Sequence, residues 1–365
     1  MDGYSSGEIV YWDMIKDNKL LHLLKRGIRS SLKRGAILAT TPIPLKELVR
    51  LANIPPLVVF YHVVSDEDLP HIKHIYRYKN ARGFEADLEY LLRTYTPVDQ
   101  SDLLRARQSG EPFPRNSIFF TFDDGLREAY EVAFPILKRK GIPAAFSVST
   151  AFLDNKDLFY RFKASLLIEK DKHTKGRDKE TLLRELFGDH GIQYTDFVTN
   201  VLKLDYHQRG LLDELAKVYE LSFEEYLRAK RPYMDSAQVR KLLGEGFHLG
   251  AHSIDHPLFR LLSIDEQIRQ TEVSVNGLKH QFGLTQNLFA FPFTAAGVTD
   301  EYYESVRMMK LVDVFLGAGH FGSNVAIPLF ERMPFDAGTP HYLKNEYLIY
   351  LRRNYVRSLL PTAYA

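Results

Sequence analysis

Short apolar runs and amphipathic stretches alternate along most of this chain. Leu57-Val-Val-Phe-Tyr-His62 is an apolar run of strand length that closes on a titratable residue. Ser117-Ile-Phe-Phe-Thr-Phe-Asp-Asp-Gly125 is a second, ending in two adjacent carboxylates and a glycine. Apolar runs of this length, rich in aromatic and β-branched residues, predict buried strands of a parallel sheet. Further strands are predicted at 96–99, 143–150, 247–251, 288–293, 312–317 and 329–335. Between them, apolar residues at helical spacing predict helices at 84–94, 101–107, 126–140, 236–244, 263–282 and 300–310. Ser263, with Glu266 three residues on, reads as a capping box at the start of one of them. A long polar loop is expected at 65–80. Strands alternating with helices in this way argue for a parallel βα architecture.

The alternation is interrupted once. From about 157 to 233 only helical periodicity is visible, as in Leu182, Leu183, Leu186 and Phe187 and again in Leu211, Leu212, Leu215, Val218 and Tyr219. The polar run 169–180 reads as a loop with a solvated charged face. An insertion of this size is expected to act as a lid or recognition subdomain that shapes access rather than chemistry. At the front of the chain, residues 1–55 read as an N-terminal helical extension. The stretch 19–46 holds seven basic residues and no acid, interleaved with leucine and isoleucine. That pattern is read as a helix packed on the body with a solvated basic face, with peripheral contact to an anionic membrane surface as the alternative. The tail, 342–360, reads as a closing amphipathic helix.

Composition narrows the picture little. Hydrophobic residues make up 45% of the chain, ample for a core, and the formal net charge of +2 gives no case for nucleic acid. There is no cysteine, which excludes disulfides and thiol catalysis. No run of eighteen apolar residues or secretory signal pattern is seen, so the expectation is a cytoplasmic location, or one at the inner face of the membrane.

The chemistry lies at the strand ends. A buried strand has no reason to finish on Asp123 and Asp124 unless negative charge is used there, and α/β folds place their chemistry at that end of the sheet. Gly250-Ala-His-Ser-Ile-Asp-His-Pro257 adds His252 and His256, four apart, after another strand. If a turn of helix follows His252, both imidazoles fall on one face. Two carboxylates and two histidines then suit a divalent metal, one aspartate serving as third ligand and the other free to take a proton from water.

Thr121-Phe-Asp-Asp-Gly125 and His252-Ser-x-x-His256 resemble the first two motifs of the polysaccharide deacetylases, the NodB-type carbohydrate esterase family 4. The resemblance implies a distorted (β/α)7 barrel over 56–365, interrupted by the insertion, and the count of about seven barrel strands agrees. It implies Asp123 as base and Asp124, His252 and His256 as ligands of a divalent ion, zinc first, with other transition metals open. Many members carry an arginine two residues before the proline of a third motif, where this chain has Ala290 in Phe289-Ala-Phe-Pro292. Tyr61-His62 and that third motif are similar to the poly-N-acetylglucosamine de-N-acetylase branch. Arg332, near the end of the last strand, is the candidate for the missing cation. His62 is the candidate general acid, with His320 as its positional rival. The implied activity is metal-dependent removal of N-acetyl groups from an amino-sugar glycan or glycoconjugate, with release of acetate. An O-acetyl esterase or non-sugar amidase on the same site, and a catalytically silent carbohydrate-binding module suggested by Ala290, are the alternatives. Neither the sugar nor the oligomeric state is legible.

Overall fold

The computed structural model of the chain describes residues 56–109, 116–173, 177–318 and 329–336, together with Glu47. The basic stretch 19–46, the helix expected at 342–360 and His320 lie outside the described residues.

Seven parallel strands close on themselves: β1 (Leu57–Tyr61), β3 (Ser117–Phe122), β4 (Ala144–Val148), β5 (His248–Ala251), β6 (Leu288–Ala290), β7 (Val314–Ala318) and β8 (Leu329–Pro334). Closure comes from β1, which pairs with β3 on one edge (Leu57 opposite Ile118) and β8 on the other (Val58 opposite Arg332). The two-residue β2 (Thr96–Pro97) is an extra strand paired with the start of β3. This is the distorted (β/α)7 barrel that the sequence implied. Among the described residues no helix is long and apolar enough to cross a membrane.

Strand alternation sorts the side chains into two layers. Leu57, Val59 and Tyr61 of β1, with Ile118, Phe120 and Phe122 of β3, pack outward under the helices, whereas Val58 and Phe119 belong to the barrel interior. Phe122 stacks between Tyr61 and Phe146, with ring centroids 5.6 and 4.9 Å away. Gly250 lets β5 and β6 approach, since a Cβ there would lie 2.3 Å from Cδ2 of Leu288.

Several local expectations need correction. The helix predicted over 126–140 opens as a π turn, Ala129–Ala133, before the regular Phe134–Lys140. Pro135 supplies no N–H for the bond back to residue 131, and the turn widens just upstream. Ser263 does cap the helix Ile264–Phe282 by accepting from the Glu266 N–H. Glu266 does not return the bond; its carboxylate takes Arg269 instead. The run 169–180 is mostly helix, divided between Tyr160–His173 and Arg177–Asp189. Its charges are engaged: Glu169 pairs with Lys73 and His74, and Asp171 with Lys179.

The two Glu169 pairs tie the insertion to the 65–80 loop. That loop buries Leu69, Ile72, Ile75 and Tyr76 in a second apolar core shared with the helices between 160 and 230. Charge spacing alone did not show that the two segments fold together.

Candidate active site at the barrel mouth

The parity that fills the barrel also builds its mouth. Phe60 and His62 continue the inward register of Val58, and Thr121 and Asp123 that of Phe119. On β5, Leu249 and Ala251 face out, which turns Gly250 and His252 inward; on β8, Met333 and Phe335 face out, which turns Arg332 and Asp336 inward. All of these inward polar groups are buried.

Asp124 breaks the alternation. It has φ +69°, as does Gly125, where a Cβ would fall 2.8 Å from Val148 Cγ1. A left-handed turn at two successive residues ends the strand and lets adjacent carboxylates serve one site. The expected helical turn after His252 is absent. Residues 252–256 form an irregular loop with positive φ at Ser253 and His256, pinned by the His256 N–H donating to Ser253 Oγ at 3.0 Å. The imidazoles nevertheless meet, with ring centroids 4.7 Å apart.

Asp124, His252 and His256 each bring one ligand-type atom within 4.8 Å of the other two. The Nε2 atoms of His252 and His256 stand 3.4 and 3.1 Å from Asp124 Oδ1. Neither approach is aligned as a hydrogen bond, and Oδ1 is buried without a hydrogen-bond partner. Lone pairs that converge without bonding one another suit a shared cation. His252 Nδ1 lies 2.8 Å from the Ala290 carbonyl, which can only accept. Nδ1 therefore holds the proton and Nε2 presents its lone pair to the site, the tautomer a metal-binding histidine needs. The three residues fit a divalent ion.

Asp123 does different work. Arg332 donates to both its oxygens, Nη1 to Oδ1 and Nη2 to Oδ2, each at 2.7 Å. The guanidinium is fixed in turn by Nε donating to Gly317 O at 3.0 Å, by Thr121 Oγ1 at 3.2 Å, and by the Phe60 ring, 4.6 Å away. Burial raises the Asp123 carboxyl; Arg332 more than offsets it, leaving the group ionised and below its ordinary value. The cation absent at position 290 is thus supplied from β8, and the silent-module alternative loses its motive.

His62 has a partner that sequence reasoning missed. Its backbone N–H donates to Asp336 Oδ1 at 2.7 Å, and its Nδ1 lies 2.6 Å from Asp336 Oδ2. Burial would lower the imidazole's pKa, but Asp336, aided by the charges of Asp124 and Asp123, raises it to about 9. The signal for Asp336 was available: like His62 and Asp123, it sits in the inward register just beyond a strand end.

A buried strand-end carboxylate pair, one member gripped by an arginine, and a two-histidine loop thus meet at one barrel mouth, where Asp124, His252 and His256 could hold a metal ion. The sequence profile of polysaccharide deacetylases matches residues 110–310, more than half of the chain, and the protein belongs to that family. The match contains Asp123, Asp124, His252 and His256, whereas His62, Arg332 and Asp336 fall outside it. Among solved structures, the Streptococcus pyogenes deacetylase PplD, determined with acetate, superposes with a TM-score of 0.51 at 14% identity, covering 80% of this chain and 97% of that one. IcaB from Ammonifex degensii superposes with a TM-score of 0.50 at 16% identity, covering 81% and 96%. At these identities the likeness concerns the fold. No curated protein matches by sequence.

Proposed function

We propose that the chain is a metal-dependent de-N-acetylase of amino-sugar glycans or glycoconjugates, similar in chemistry to the poly-N-acetylglucosamine branch. The observation that carries this reading is the juxtaposition of the Asp124–His252–His256 cluster with an Asp123 carboxylate gripped by Arg332. A divalent ion held by Asp124, His252 and His256, zinc being the first choice, would supply Lewis acidity toward the acyl carbonyl and toward water. Asp123 accepts the proton of the attacking water, and Arg332 keeps that carboxylate ionised and aimed. His62, protonated at neutral pH and oriented by Asp336, donates to the departing amine as the C–N bond breaks. The acyl carbon gains the water oxygen, and the products are acetate and a free amino sugar.

The test is acetate release across polymeric, oligomeric and lipid-linked N-acetylhexosamines, with O-acetylated glycans and simple acetamides alongside. Turnover of N-acetylated sugars above the other two classes is expected. Hydrolysis confined to O-acetyl esters or non-sugar amides would replace the proposal.

A further inference from the structure

The two candidate metal-binding histidines are held in different ways. His252 is oriented by the Ala290 carbonyl, whereas His256 Nδ1 is buried without a hydrogen-bond partner. Its imidazole is instead packed against Phe159, centroids 4.4 Å apart, and edge-on to Phe293 at 4.7 Å. Phe159 is the residue that leads into the insertion's first helix, and its own N–H donates to the Tyr233 hydroxyl at 2.9 Å.

A second contact from the insertion reaches the same loop. Tyr206 donates its hydroxyl to Asp255 Oδ2 at 2.7 Å, one residue before His256. Asp255 Oδ1 accepts from Gln270 Nε2 at 2.8 Å, and Gln270 Oε1 accepts from the Ile254 N–H at 2.9 Å. Tyr206 is itself braced by the Arg209 guanidinium, 3.8 Å from its ring centroid. The loop has two positive-φ residues and no regular structure; the Thr150 and Ala151 N–H groups hold its backbone at Ser253 and Ile254, and the Tyr206 and Gln270 contacts hold it at Asp255, next to His256.

We propose that Phe159 and Tyr206 are positioning residues for His256, making the helical insertion part of the metal-binding apparatus. This rests on the reading of Asp124, His252 and His256 as ligands. A histidine with no acceptor for its second nitrogen depends on packing for its orientation. Removing what orients a ligating histidine typically weakens metal affinity by about 10–100-fold.

The experiment is equilibrium binding of Co2+, followed by its visible absorption, and of Zn2+ by chelator competition, on the full chain. Wild type is compared with Phe159→Ala, Phe159→Leu, Tyr206→Phe and Tyr219→Phe. The last is the control: Tyr219 donates to Asp171 at 2.6 Å within the insertion, and its substitution deletes a comparable hydrogen bond without touching the loop. Expected are an affinity loss of about 10–100-fold in Phe159→Ala and Tyr206→Phe, a smaller loss in Phe159→Leu, and an unchanged Tyr219→Phe. The Co2+ spectrum should alter in the affected variants. Tyr206→Phe keeps the ring and its cation contact, so it remains informative if Phe159→Ala does not fold. Wild-type affinity in Tyr206→Phe and Phe159→Leu, or an equal loss in Tyr219→Phe, would overturn the proposal while leaving the metal site standing. A wild-type chain that binds neither ion would overturn both.

Discussion

Arg332→Met removes the charge opposite Asp123 while keeping most of the volume. Both side chains are buried, at 0% and 3% relative exposure, so water cannot take over from the guanidinium. Breaking a buried ion pair from one side costs about 3–5 kcal/mol, because the other charge is left uncompensated. At about 1–2 °C per kcal/mol for a chain of this length, the melting temperature should fall by about 3–10 °C near pH 7. The pH dependence carries the more specific signature. In the wild type the folded Asp123 carboxyl lies below its ordinary value, so its contribution is present above the unfolded value of about 4 and is lost as pH falls through the folded one. In the variant, burial acts without its main opponent and the folded value rises. The deficit relative to wild type should therefore shrink as the pH is lowered and Asp123 protonates. Calorimetry at pH 5 and pH 8 on wild type, Arg332→Met, Asp123→Asn and the double variant closes the cycle, with a coupling of about 2–3 kcal/mol at pH 8. Additive effects, or a deficit that does not change with pH, would refute the reasoning.

Asp123→Asn should retain bound metal and lose amide hydrolysis by about 10²–10⁴-fold, measured as metal content and acetate release on one preparation. His62→Ala should lose amide hydrolysis to a similar degree and keep activated aryl esters, whose leaving groups need no proton; equal loss on both would remove it as the acid. Because His62 donates only while protonated, the wild-type rate should fall above about pH 9. Asp336→Asn should shift that alkaline limb to lower pH, which a pH–rate profile reads directly. Added Zn2+ should raise the melting temperature of the metal-free chain, and that rise should vanish in a His252→Ala, His256→Ala variant.

The fold was legible because its signal is local. Apolar runs at 57–61, 118–122 and 144–148 can satisfy both faces of a strand only when helices cover a closed parallel sheet. The first part of the site was legible for a related reason: charge at the end of an apolar run is costly unless used, which singled out Asp123, Asp124 and His62. Arg332 was reached from the absence of an arginine at 290, and the structure brings it to Asp123. What stayed hidden depends on pairing across the barrel. Asp336 meets His62 only because β8 closes beside β1, a contact spanning 274 positions. The aromatic packing of His256 was hidden for a different reason. Phe159 looked like one more core residue at the edge of a helical segment, and no periodicity states which loop a helix lies against. The contacts of Phe159 with His256 and of Tyr206 with Asp255 are what the proposed positioning role adds to the expectation that the insertion shapes access.

Bound metal and acetate release, followed in the same samples, bear most directly on the Asp124–His252–His256 site. A chelator-stripped wild-type chain should release no acetate from N-acetylated amino-sugar oligomers. Activity should return in proportion to zinc, up to one ion per chain, and an Asp124→Ala chain should neither bind the ion nor recover. Wild-type acetate release from the metal-free chain, or full metal occupancy in Asp124→Ala combined with His252→Ala and His256→Ala, would contradict that site.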